Sequence, residues 1–188
     1  MKTFDFKCGL DEGEFFYCYS PQAKSRGVFV REDDCIRNEY NPDVKDYEYT
    51  TVMLKEKLKA GDAVTVECSF EKRGAPLIVI SDEIFRKDGS QYYGEHFETV
   101  AFEEGCNVWH NTPIESGGLK TDKLHFESIP TPNHSRVTLS VEFMADGFYI
   151  TMNGVSFTVK ASIPKEFYLG ITGCEGINRF YNFTLNRC

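Results

Sequence analysis

A two-residue alternation of apolar and polar side chains runs through most of this chain. Val64, Val66, Cys68 and Phe70 alternate with Thr65, Glu67 and Ser69, and Val137, Leu139, Val141 and Phe143 alternate with Thr138, Ser140 and Glu142. Successive side chains of a strand point to opposite faces, so this period belongs to a strand with one face buried and one solvated. A helix would need an apolar stripe recurring every three to four residues, and no stripe of ordinary helix length is present.

Turn chemistry punctuates these runs. Asn153-Gly154 sits between the alternating residues 148–152 and 155–159, and both tolerate the positive φ of a type I′ turn. Asp146-Gly147, Asp88-Gly89, Arg73-Gly74-Ala75-Pro76 and the 173–176 segment mark further corners. Residues 77–80 are continuously apolar, which predicts a central strand buried on both faces. The alternation of Phe4, Phe6 and Cys8 predicts a first strand, and further strands are predicted over 14–19, 27–30, 47–54, 124–129, 167–172 and 178–185. Polar loops are predicted over 31–46 and 111–121, and residues 55–59 suit either one helical turn or a polar strand end. About a dozen strands with corners every eight to twelve residues or so make an antiparallel sandwich or barrel. No repeat or linker divides residues 1–188, so one all-β domain is expected.

The 188 residues are enough for a full sandwich core, and 16 Phe with 10 Tyr favour strands. The net charge of −8 argues against nucleic acid and acidic membrane surfaces, which need a basic stripe. A neutral or cationic ligand suits it better. No apolar leader follows Met1-Lys2, and no apolar run of roughly 18 residues is present, so a cytoplasmic chain is expected. The seven cysteines lack C-x-x-C pairs and are expected to be reduced thiols, with Cys68 and Cys106 as buried small hydrophobes. The glycosylation triplets at Asn133 and Asn182 are then expected to go unused.

No metal and no cofactor is expected. His110, His125 and His134 show no mutual ligand spacing, and no Asp-rich calcium loop appears. There is no glycine-rich phosphate loop and no G-x-S-x-G elbow.

The candidate site lies in YGEHFETVAFEEGCNVWH, residues 93–110. Two neighbouring strands are predicted there, joined by Glu103-Glu104-Gly105. Phe97 and Thr99 share one face of the first strand, His96 and Glu98 the other. In the second strand Cys106 and Val108 point inward and Asn107 and Trp109 outward. His96, Glu98, Asn107 and the single Trp109 then meet on one face. An indole gives a sugar ring a flat apolar platform. A carboxylate accepts from hydroxyls, an imidazole donates, and an amide does both. The plainer readings are a sheet-edge Trp and a solvated strand face with a cross-strand pair. Arg179 suits a ligand clamp or, more simply, a surface position at a strand start.

The C-terminal text GFYITMNGVSFTVKASIPKEFYLGITGCEGINRFYNFTL resembles the concanavalin A-like lectin/glucanase superfamily, which includes galectins, laminin-G modules and laminarinase-type enzymes. The resemblance implies a jelly-roll sandwich of two curved antiparallel sheets, with glycans bound on the concave face. It also implies pairing of the first and last strands, here residues 3–7 and 179–185. The laminarinase-type E-x-D-x-x-E motif is absent, as is the galectin W-G-x-E-x-R segment, since His110-Asn111 follow Trp109. Neither activity transfers with the fold. The expected function is a carbohydrate-binding protein or accessory subunit that holds a glycan or glycoside through His96, Glu98, Asn107 and Trp109. The alternative is a glycoside-cleaving or glycoside-modifying enzyme with Glu98 and His96 as acid and base, its second acid Glu95 or Glu127. A third reading is an interaction module that contacts a protein partner or a second copy through residues 31–46.

Overall fold

The structure, a computed structural model, describes residues 1–23, 26–43, 49–87 and 90–188. The predicted Asp88-Gly89 corner, residues 44–46 of the predicted loop and residues 47–48 of a predicted strand lie outside the described residues. The strands are β1 (Lys2–Asp5), β2 (Phe15–Cys18), β3 (Phe29–Arg31), β4 (Ile36–Asn38), β5 (Tyr49–Leu54), β6 (Leu58–Lys59), β7 (Ala63–Glu71), β8 (Ala75–Ser81) and β9 (Ile84–Lys87). They continue with β10 (Ser90–Tyr93), β11 (His96–Phe102), β12 (Gly105–Pro113), β13 (Leu119–Ser128), β14 (Val137–Met144), β15 (Gly147–Met152), β16 (Val155–Lys160), β17 (Glu166–Cys174) and β18 (Ile177–Asn186).

Among the described residues, sixteen of them form two eight-stranded antiparallel sheets, and β9 pairs with β10 in a separate two-stranded one. The first, here the back sheet, runs β16-β15-β14-β7-β18-β4-β3, with β1 paired to β18. The second, the groove sheet, runs β13-β12-β11-β8-β17-β5-β2, with β6 paired to β17. The expected pairing of the chain ends is present, with Lys2 opposite Leu185 and Asp5 opposite Asn182. The β15–β16 hairpin turns at Asn153 (φ 49°) and Gly154 (φ 84°), as the sequence demands. The apolar run 77–80 lies in β8, between β11 and β17, and is buried on both faces.

Each alternating run sends its apolar set into the space between the sheets. Val66, Leu139, Phe148 and Phe183 from the back sheet meet Ile78, Phe97, Val108 and Phe15 from the groove sheet in one core. Burying a large apolar side chain is worth about 1.5–3 kcal/mol, so the core fixes which face of every strand turns outward.

The chain crosses between sheets twice in close company, from β7 to β8 and from β17 to β18. The first crossing puts Lys72 and Arg73 at positive φ and packs Gly74 against the carbonyl of Ile177, 2.3 Å from where a Cβ would stand. Asn38 of β4 secures the second. Its Nδ2 donates to the Gly176 carbonyl (3.0 Å), and its Oδ1 accepts the Asn178 backbone N–H (2.7 Å).

Three local expectations are corrected, and the choice left open at 55–59 falls to the strand end. The first strand stops at Asp5, whose side chain accepts from the Lys7 backbone N–H (3.1 Å) and starts a 3-10 turn over Phe6–Cys8, so Cys8 is exposed. The 31–46 segment is not all loop, because Ile36–Asn38 pairs with β18 and β3 and buries Cys35, Ile36 and Asn38. Residues 55–59 hold no helix, and Leu58–Lys59 pair with β17. The loop predicted over 111–121 shrinks to residues 114–118, since β12 runs on to Pro113 and β13 begins at Leu119.

Candidate functional site

The site is built by β11 and its two neighbours. Phe97 and Ala101 of β11, with Cys106 and Val108 of β12, enter the core. This commits His96, Glu98 and Val100 to the outer face of the groove sheet. Across the ladder Glu98 stands opposite Trp109, Val100 opposite Asn107, and His96 opposite Asn111. Directly opposed residues share a face. The four residues singled out from the sequence therefore do share one face, and Asn111 joins them.

Above this face lies a groove of about 410 Å³, lined by Glu98, Trp109, Asn111, Thr121, Tyr49 and Glu175 among others. Trp109 is half-buried in its flank. Lys123, opposite Trp109 on β13, holds its Nζ 4.9 Å from the Trp ring centroid and 5.6 Å from that of Phe126. Glu98 and Asn111 form the floor, 8% and 4% exposed. Asn111 Oδ1 accepts from Thr121 Oγ1 (2.7 Å), while its Nδ2 is buried with no hydrogen-bond partner.

His96 lies beside Glu98 on the same face, 1% exposed and outside the groove lining. Its Nδ1 is 2.7 Å from the Gly94 carbonyl, which can only accept, so Nδ1 carries hydrogen. Its Nε2 faces Glu98 Oε1 at 3.3 Å without hydrogen-bond alignment. The ring meets Tyr93 edge-on, centroids 4.7 Å apart. Burial, then the charge of Glu98, raises the Tyr93 hydroxyl well above the usual phenol range. Burial raises that of Tyr49 too, aided by Cys174 and Glu98. Both phenols stay neutral beside the carboxylate.

Asn107 is on the expected face but outside the groove lining, with its Oδ1 buried and unpartnered. Neither expected second acid reaches the groove. Glu95 Oε1 pairs with His110 Nε2 (2.7 Å), whose ring stacks on Phe97 at 4.3 Å, towards the core side. Glu127 stands opposite Cys106, on the core side of the sheet, and pairs with His125. Glu175, from the β17–β18 crossing, lines the groove instead. Arg179 is no groove residue. It bridges Glu32 and Glu71 in the back sheet.

Asn111, Thr121 and Glu175 were missed from the sequence. Asn111 continues the outward series Asn107, Trp109 at the same step of two, and that signal was available. Thr121 and Glu175 reach the groove only through pairing and chain crossing.

No protein-family model matches this chain, and no curated protein sequence matches it. Solved structures do. A structure described by the words "Prominent members of the human gut microbiota express endo-acting O-glycanases to initiate mucin breakdown" superposes with a TM-score of 0.72 over 100% of this chain and 99% of its own, at 10% identity. The LamAcat structure from Zobellia galactanivorans gives 0.68 over 100% and 97%, at 12% identity. The carbohydrate-binding module CBM66 from Bacillus subtilis gives 0.64 over 90% and 99%, also at 12%. The fold is the concanavalin A-like jelly roll. Within this jelly roll the outward residues 96, 98 and 100 of β11 are His, Glu and Val, so that strand offers the groove a single carboxylate.

Proposed function

We propose that the protein binds a carbohydrate in the groove over β11 and β12. One observation carries the reading: a buried acceptor, Glu98, and a buried unpartnered donor, Asn111 Nδ2, lie beside the single indole in an open groove. Desolvated polar groups without partners cost free energy unless something satisfies them. A sugar hydroxyl both donates and accepts, and the sugar's apolar face suits Trp109. Jelly rolls of this kind include a carbohydrate-binding module and glycoside-acting enzymes, which agrees with this reading. His96 then serves as the neighbour that positions Glu98, its Nε2 3.3 Å from Glu98 Oε1.

Trp109→Ala is expected to lower affinity for a glycan-array hit by at least about 2 kcal/mol, roughly 30-fold, with the melting temperature unchanged. Unaltered affinity by calorimetry removes Trp109 from the site.

A second reading is favoured by the 3.3 Å contact of His96 Nε2 with Glu98 Oε1, together with Glu175 as a second carboxylate in the groove. Glycoside cleavage needs two carboxyl groups at a defined separation. If the protein cleaves a glycoside, Glu98→Gln abolishes turnover; a wild-type rate excludes the assignment.

A further inference from the structure

We infer that the groove selects a neutral sugar presenting two neighbouring free hydroxyls, and that Asn111, oriented by Thr121, determines this specificity. The inference rests on the carbohydrate-binding reading and sharpens it.

The donor and acceptor roles follow from the contacts. Thr121 Oγ1 donates to Asn111 Oδ1 at 2.7 Å, which fixes the amide and turns Nδ2 to the unpartnered side. Nδ2 can only donate. The Glu98 carboxylate, when ionised, can only accept. Asn111 is two residues along β12 from Trp109, and Glu98 is directly across from Trp109. The two polar groups are thus diagonal neighbours, roughly 7–8 Å apart at the backbone. A ring against Trp109 can give one hydroxyl hydrogen to Glu98 while a second hydroxyl oxygen takes a hydrogen from Asn111.

Charge supplies the other half. Among the described residues, the lining holds two carboxylates, Glu98 and Glu175, and no Lys or Arg. Among the described residues no Lys or Arg pairs with Glu98, and His96 beside it is its one ionic neighbour. Lys123 is held over the Trp109 and Phe126 rings. A uronate or sulfate ester on the sugar would bring a second anion against a buried carboxylate, where screening is weak.

The test uses the full chain on an array of neutral oligosaccharides, each beside its uronate and sulfate-ester counterparts. Calorimetry then follows with the strongest neutral binder and its deoxy analogues. The wild-type protein should bind the neutral sugar at least about tenfold more tightly than its acidic counterpart and than one monodeoxy analogue. Asn111→Asp replaces the donor with an acceptor and should remove neutral binding. Thr121→Val frees the amide to rotate. It should weaken binding severalfold and, decisively, erase the preference for the parent sugar over the deoxy analogue, with the melting temperature held. A merely structural role for Thr121 would leave that ratio intact. Equal or tighter binding of the acidic sugars, or a deoxy ratio that survives Thr121→Val, overturns this inference and leaves carbohydrate binding standing. A wild-type protein that binds no saccharide overturns the underlying reading itself.

Discussion

The two outer faces of the sandwich treat their polar groups in opposite ways. On the back sheet, charge is dense and answered. Arg179 Nε donates to Glu32 (2.7 Å) and its Nη1 to Glu71 (2.8 Å), while Arg37 Nε donates to the other oxygen of Glu32 (2.6 Å). Arg136 pairs with Asp34 and Glu67 and lies 3.1 Å over the Tyr181 ring, and Asn182 Nδ2 donates to Glu67 (2.6 Å). On the groove sheet some buried groups are paired, as Thr51 is with Thr172 (2.7 Å), but other buried atoms are left without a hydrogen bond, among them His96 Nε2, Asn107 Oδ1 and Asn111 Nδ2. A network that satisfies itself stabilises the fold and has no need of a ligand. Buried groups left unpaired cost stability, and a ligand that pairs them recovers that cost on binding. The contrast supports the proposal that a ligand is held on the groove face, with the ion-pair network of the back sheet serving the fold.

The sharpest challenge to this division is Asn38, which belongs to both faces. It lies in the back sheet but holds the crossing that carries Glu175 to the groove. Asn38→Ala strands buried backbone groups and should cost about 3 kcal/mol in urea denaturation, while also weakening glycan binding. A variant that loses only one of the two would show that the faces are uncoupled through this turn.

Arg179→Met should come next, at about 2 kcal/mol of stability, with glycan affinity unchanged. Its pH dependence is fixed in sign. Burial pushes the Glu32 carboxyl up, but hydrogen bonds and charge from Arg179 and Arg37 outweigh it and hold the carboxyl below its ordinary 4.5. A carboxylate depressed in the folded state contributes stability above its unfolded value, and that contribution is lost as pH falls through the folded one. The gap between wild type and Arg179→Met should therefore be wide at neutral pH and narrow once pH drops well below 4.5. A gap that stays constant on acidification would remove Glu32 from the account.

The smallest effect is kinetic. Burial pushes the Cys18, Cys68 and Cys106 thiols up to about 12, and burial with the charge of Glu98 raises Cys174 as well. Cys8 and Cys188 are exposed. Thiol labelling of the native protein should mark Cys8 and Cys188 quickly and the others slowly. Cys18 and Cys174 pack with Tyr93 and Val79 on the groove side. Labelling of that pair at the pace of Cys8 would mean that the groove face opens in solution while the core stays closed.

Much of this was legible from residue order. The alternation at 64–70 and 137–143, the Asn153-Gly154 corner and the buried run 77–80 each name a strand, a turn or a central position without help from distant residues. The outward set His96, Glu98, Asn107 and Trp109 followed from the same period of two. One error is local, the Asp5 cap that ends β1 early, and the others fall where pairing overrides local chemistry. Polar residues 111–113 and 119–121 look like loop, yet β12 and β13 continue through them because each satisfies the other's backbone. Ile36–Asn38 looks like loop for want of length, yet β18 recruits it.

What the sequence determined by itself is the face each side chain takes, because hydrophobic burial and a two-residue period leave a strand no other choice. What the tertiary structure alone decided is depth and company. Sheet order buried His96 to 1% exposure and brought Glu175 and Thr121 across the chain to the groove. Those outcomes depend on which strands lie side by side, and strand order is set by long-range packing that no local pattern records.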